Sequence, residues 1–252
     1  MIRSKPETTM DAKYTKEHKG FFINHLRVLS VLRGSWFYKL PWLKIIVHVG
    51  GWMPLVLLIV DAALGQLGAE PIRAAILRTG KAALVQLVLS LACTPLNTLF
   101  GFRAALKVRR ALGLYAFMYA AIHFSLFVGL DYGFNWALLQ DALLSKRYTL
   151  VGMGAGTILL LLAATSFNYW KKRLGKGWKR LHRLVYLAAL LAGVHFVWLV
   201  KQGVAEPYYW LAGIIVLLVV RLPVVKRLLR RVKRREKRED WNSFGVPKTP
   251  RG

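Results

Sequence analysis

Long apolar blocks alternate with short polar and basic stretches along most of the chain. Six blocks stand out, at 45–64, 82–100, 111–130, 150–167, 184–200 and 208–222. Each approaches the roughly 20 apolar residues that cross a bilayer as a helix. Within lipid a segment must satisfy its own backbone hydrogen bonds, so helix is the predicted state. A membrane β-barrel would show alternating segments of about ten residues, whereas these blocks are continuously apolar. The pattern predicts an all-α, polytopic six-helix transmembrane bundle. No internal repeat is evident in the sequence, and no secretory signal is expected ahead of the first block.

The flanks read differently. Residues 1–41 predict a cytoplasmic extension, with 21–40 able to form an interfacial amphipathic helix or a partly ordered leader. Residues 42–227 hold the six spans, and 228–252 form a basic tail that would sit against anionic lipid.

Charge fixes an orientation. The net charge of +27 could be taken for a nucleic-acid signal, but the basic residues lie between and beyond the apolar blocks, so no nucleic-acid partner is expected. Of 38 Lys and Arg residues, 32 fall in the two termini and the loops 101–110 and 168–183, against 6 on the other side. The two internal loops alone give 11 against 6. The positive-inside rule then places both termini in the cytoplasm. The single cysteine, Cys93, excludes an intramolecular disulfide and any multi-cysteine cluster. It reads as a small packed side chain.

Candidate chemistry rests on histidine. His18 and His25 lie in the N-terminal segment and His48 at the inner start of the first span. His123 stands seven residues before the end of the third span, and His195 five before the end of the fifth. At about 1.5 Å per residue both sit roughly 8–10 Å below the outer ends of parallel helices. An imidazole inside a span is costly without a partner and marks a functional site by default. Either each His is a hydrogen-bonded packing residue, or the two ligate one metal centre, for which a bis-imidazole haem is the natural choice. His182, thirteen residues before His195, suits a second haem nearer the inner face. In an ideal helix, however, it points about 140° away unless Gly193 allows a distortion. Arg109 stands fourteen residues before His123 on nearly the same face. It cannot be an ordinary haem ligand, but it can hold a haem propionate, a flavin phosphate or a lipid phosphate. Gln86 and Asn97 read as interhelical hydrogen bonds ahead of a quinone site. Trp52, Trp136, Trp198, Tyr132 and Tyr208 fit an aromatic belt.

Three stretches carry a resemblance: RRALGLYAFMYAAIHFSLF at 109–127, SKRYTLVGM at 145–153 and LGKGWKRLHRLVYLAALLAGVHFVWLVK at 174–201. Over roughly 42–227 the chain resembles the MsrQ/YedZ family of haem-binding membrane subunits of periplasmic methionine sulfoxide reductase systems, within the ferric-reductase-like transmembrane family. Gly177 departs from the pattern, standing where a bulkier residue is expected. The resemblance implies a b-type cytochrome. Such a protein takes electrons from the respiratory quinone pool and passes them to a periplasmic molybdopterin methionine sulfoxide reductase, which repairs oxidised proteins. It implies haem b, one as the main reading and a second as the alternative, with His123, His182 and His195 as the motif histidines. FMN is implied by resemblance alone, with Arg109 as one contact. Outward Arg73, Arg78, Lys146 and Arg147 would pair with propionates or dock the partner. The alternatives are a stand-alone ferric or cupric reductase-type cytochrome, or a cofactor-free helical transporter or scaffold.

Overall fold

A computed structural model describes residues 41–200, 203–221 and 225. The described residues are helical, with no strand. The elements are α1 (Pro41–Ala63), α2 (Pro71–Phe100), α3 (Ala104–Leu126), α4 (Trp136–Ser145), α5 (Arg147–Ala164), α6 (Asn168–Leu174), α7 (Lys176–Leu181), α8 (Val185–Leu199) and α9 (Glu206–Val219). A π-helical turn, Phe127–Asp131, continues α3, and a 3-10 turn, His182–Leu184, joins α7 to α8. Residues 1–44 and 45–252 separate as two units, and the helical bundle belongs to the second. The predicted interfacial helix at 21–40 and the tail from 228 lie outside the described residues.

Five helical segments are long and apolar enough to cross a membrane: Trp42–Ala63, Pro71–Phe100, Ala104–Asp131, Arg147–Ala164 and Lys176–Leu199. The sixth predicted block forms α9, an apolar helix of 14 residues. At about 1.5 Å per residue it spans roughly 21 Å, less than the hydrocarbon thickness of about 30 Å. The second block is longer than the hydropathy pattern predicts. Pro71 starts α2 behind Glu70, because proline fits the first helical position, where no N–H partner is needed. The helix runs to Gly101, whose φ of 70° and N–H to the Asn97 carbonyl close it. Thr79, Gly80 and Lys81, which the pattern leaves in a loop, are thus helical. A further helix, α4, occupies the loop between the third and fourth blocks. The Asn135 side chain caps it by accepting from the Leu138 amide, and Leu139 and Ala142 are its buried residues.

Four helices make the core. α2 packs on α3 and α8, and α5 packs on the same two, so α3 and α8 face each other across the group. Leu84, Leu87 and Leu91 of α2, Ala116 of α3, Leu159 of α5 and Ala188 and Ala189 of α8 meet there with Ile214 of α9. Ala116 and Ala188 are wholly buried, since small side chains let membrane helices approach closely. Cys93 is also buried.

α1 carries Pro54 in mid-helix. Proline lacks an amide hydrogen, so the carbonyl four residues earlier, that of Gly50, loses its helical donor. The Gln86 side-chain amide donates to that carbonyl at 3.3 Å. One residue on, the Tyr119 hydroxyl donates to Gly51 O at 2.6 Å and accepts from Leu55 N at 3.1 Å. His48 Nδ1 meets the Tyr115 hydroxyl at 2.8 Å. A Cβ on Gly51 would stand 2.5 Å from the Tyr115 ring, which explains the glycine. A polar seam created by one proline thus attaches α1, and Gln86 is the interhelical hydrogen bond expected of it.

Candidate functional site

The structure brings His123 and His195 together. Their ring centroids are 6.3 Å apart with planes at 86°. His123 comes from the C-terminal part of α3, one turn before the π-helical turn. Such turns interrupt regular helices most often at functional sites. His195 comes from the last turns of α8.

Each ring is held from a neighbouring helix in the same way. His123 Nδ1–H donates to the Ile76 carbonyl of α2 at 2.8 Å. His195 Nδ1–H donates to the Tyr148 carbonyl of α5 at 2.7 Å. A carbonyl only accepts, so Nδ1 carries the proton in both rings and Nε2 keeps its lone pair. Fixing the far nitrogen on a backbone carbonyl is how metal-binding histidines are usually oriented. Each donor lies 47 residues beyond its acceptor. The same shift of 72 residues that turns Ile76, Gly80, Leu87, Ala116 and His123 into Tyr148, Gly152, Leu159, Ala188 and His195 relates the two helix pairs. The α2–α3 and α5–α8 pairs are therefore built to one plan, a repeat that the sequence pattern does not reveal.

The pair suits an axially bound metal. With a metal–nitrogen bond of about 2 Å, an imidazole centroid would lie roughly 3 Å from a bound metal, so a separation of 6.3 Å leaves room for one metal between the two rings. Two imidazoles leave most coordination positions open. Among the described residues no group of three His, Cys, Asp or Glu side chains gathers to fill them. A porphyrin supplies four nitrogens of its own, and the two residues fit a haem.

His182 and Arg109 lie elsewhere. His182 stacks on Trp178, with centroids 3.9 Å apart, and its Nδ1–H donates to the Trp178 carbonyl at 3.2 Å. Its Nε2 is buried and has no hydrogen-bond partner among the described residues. The break from ideal helix geometry between His182 and His195 falls at the 3-10 turn beginning with His182 itself, and not at Gly193. Arg109 reaches Thr94 Oγ1 at 3.4 Å.

Sequence reasoning did not single out Arg221. Its guanidinium lies 5.0 Å from the centre of the Tyr186 ring and donates to the Leu91 carbonyl. Its Nε and Nη1 are buried without a partner among the described residues. Arg221 thus keeps two guanidinium donors open inside the bundle. Open guanidinium donors favour an anionic group such as a carboxylate or phosphate. Near the start of α2, Arg73 pairs with Glu70 at 3.0 Å and Arg78 with Asp61. Lys146 donates to the Tyr132 hydroxyl at 3.1 Å. Lys81 pairs with Glu206 at 2.5 Å, joining α2 to the start of α9.

Comparison with known proteins agrees with this arrangement. The family described as ferric reductase like transmembrane component matches residues 79–193, which run from α2 to α8. A protein-methionine-sulfoxide reductase heme-binding subunit MsrQ of Xanthomonas axonopodis pv. citri is 39% identical over 182 residues, 70% of this chain and 83% of that protein. The MsrQ of Rhodospirillum rubrum is 41% identical over 187 residues, 73% and 89%. That of Cronobacter sakazakii is 36% identical over 193 residues, 76% and 96%. Identity at this level over most of both chains means that the chain belongs to the MsrQ family of heme-binding subunits of protein-methionine-sulfoxide reductase, with a ferric-reductase-like transmembrane domain.

Proposed function

We propose that this chain is a membrane b-type cytochrome. It passes electrons from the respiratory quinone pool to a periplasmic molybdopterin methionine sulfoxide reductase, which repairs oxidised proteins. The observation that carries the reading is the pair of imidazoles 6.3 Å apart, each with its proton fixed on Nδ1 by a backbone carbonyl. The names of its relatives support it. His123 and His195 hold haem b toward the periplasmic side. Haem supplies one-electron redox chemistry, and the protein sets its position and potential. The apolar helices keep water from the site and the carbonyl contacts keep the rings in place.

The chain crosses the inner membrane six times with both termini in the cytoplasm. Residues 1–41 form an extension, 42–227 the haem-binding domain and 228–252 a basic tail. On the inner side His182 holds a second haem or lines the place where electrons arrive. Arg109 and Arg221 receive the anionic end of a propionate or of FMN. On the outer side Arg73 and Arg78 are engaged by Glu70 and Asp61, so docking of the reductase falls to Lys146 and Arg147.

The test is a dithionite-reduced minus oxidised visible spectrum of detergent-purified protein, with haem quantified as pyridine haemochrome, for wild type and His195→Ala. A b-type spectrum lost in the variant is the expected result, and its stoichiometry separates one haem from two. A colourless wild type, expressed with adequate haem supply, overturns the reading and leaves a cofactor-free bundle. The match to the ferric reductase family favours one second reading, a stand-alone ferric or cupric reductase. Turnover with soluble ferric chelates alone, and none with a periplasmic reductase, would select it.

A further inference from the structure

Two glycines occupy equivalent places behind the two rings. A Cβ built on Gly152 of α5 would stand 2.6 Å from His195 Nδ1 and 2.7 Å from its Cε1. A Cβ on Gly80 of α2 would stand 3.0 Å from His123 Nδ1 and 3.1 Å from its Cε1. Both glycines lie in mid-helix, where glycine is less favourable than alanine. Helix formation alone therefore does not account for them.

Each glycine follows by four residues the carbonyl that binds the same ring. Ile76 precedes Gly80, and Tyr148 precedes Gly152. Residues four apart share a helix face. One helix face thus presents an acceptor and, one turn on, a place where the backbone is bare. The Nδ1–Cε1 edge of the imidazole enters that place and reaches the carbonyl. The carbonyl is neutral, so it fixes the tautomer without adding the charge that a carboxylate partner would bring.

We infer that Gly80 and Gly152 are positioning residues, each a seat in the helix backbone that lets one axial imidazole dock on the carbonyl a turn before it and so sets the geometry of the metal it holds. The inference rests on the bis-imidazole reading of His123 and His195. The arrangement occurs twice, 72 residues apart, on two different helix pairs. The two seats are not equal. The contact at Gly152 is closer than any real Cβ tolerates, whereas that at Gly80 lies at the edge of what a small ring movement relieves. The Ile76 carbonyl also accepts the Thr79 hydroxyl at 3.0 Å, a donor with no counterpart at Val151. Gly156 of α5 faces open space, with nothing within 4 Å of a built Cβ, and serves as the control on the same helix.

The experiment compares purified full-length wild type, Gly152→Ala, Gly80→Ala, Gly156→Ala and His195→Ala. The readouts are haem content, midpoint potential, low-temperature EPR of the oxidised haem and carbon monoxide binding to the reduced haem. Gly152→Ala is expected to lose most of its haem, or to retain a haem that binds carbon monoxide because one axial ligand is displaced. Gly80→Ala is expected to keep its haem with altered low-spin g values and a shifted potential. Gly156→Ala is expected to match wild type. Should Gly152→Ala fail to fold, the g values and potential of Gly80→Ala decide. Wild-type haem content, potential and EPR with no carbon monoxide binding in the folded glycine variants, while His195→Ala loses its haem, would overturn the inference and leave the ligand reading intact. Full haem in His195→Ala would overturn both.

Discussion

The two ends of the bundle, outer and inner in the proposed orientation, hold their histidines in opposite ways. At the outer end two imidazoles face each other, each fastened to a neighbouring helix by a carbonyl and backed by a glycine. At the inner end a single imidazole, His182, is bonded within its own turn and stacked on Trp178. Its Nε2 is buried without a hydrogen-bond partner and has no matching ring opposite among the described residues. In the proposed function the first arrangement holds a ligand between two helix pairs, and the second leaves one imidazole nitrogen open.

That contrast is most directly broken at His123. His123→Ala removes a ligand outright. It should lower haem affinity by more than the roughly 10–100-fold that loss of an outer-shell partner costs, as read by haem titration of the apoprotein. His182→Ala should leave the outer spectrum in place yet slow reduction by a quinol by at least about tenfold, about 1.4 kcal/mol on the barrier. Stopped-flow absorbance measures it. Equal loss of spectrum in both variants would erase the distinction between the two ends. Arg109→Leu and Arg221→Leu sharpen the inner end. Each removes a charge-assisted donor worth about 1.5–3 kcal/mol, and so should weaken FMN by about 10–100-fold in a fluorescence titration without moving the outer haem spectrum. The smallest effect belongs to Tyr119→Phe. Membrane hydrogen bonds average about 0.6 kcal/mol and reach about 1.7. Unfolding in mixed micelles should register a loss of that order, with haem content unchanged.

Much of this was legible in the chain. Continuous apolar blocks place the helices, because a lipid-facing helix needs no alternation of polar residues. Similar distances of His123 and His195 from the ends of parallel spans pick out the pair, because helical rise converts sequence into depth. What fixes each ring was not legible. It depends on which helix lies beside which, and a glycine or a backbone carbonyl in a helix carries no signature of its partner. The repeat escaped for a related reason. Within each hydrophobic helix many residues serve equally well, so few positions, such as Gly80 and Gly152 or Ala116 and Ala188, need to remain alike. Arg221 was hidden among the basic residues of the tail, where only packing under Tyr186 sets it apart. α4 was hidden because hydropathy alone does not distinguish a short capped helix from a loop.

The break that Pro54 makes in α1 has a consequence for biogenesis. In a helix inserted alone, the Gly50 carbonyl would meet lipid without a donor, at a cost of several kcal/mol. The side chain that completes it, Gln86, lies 36 residues later in the chain, and the hydroxyl that bridges Gly51 and Leu55 lies later still, at Tyr119. α1 therefore reaches its final state only after α3 has arrived. Until then it must keep those groups in contact with water, headgroups or the insertion machinery, so integration of this protein follows the order of its contacts and not the order of its synthesis.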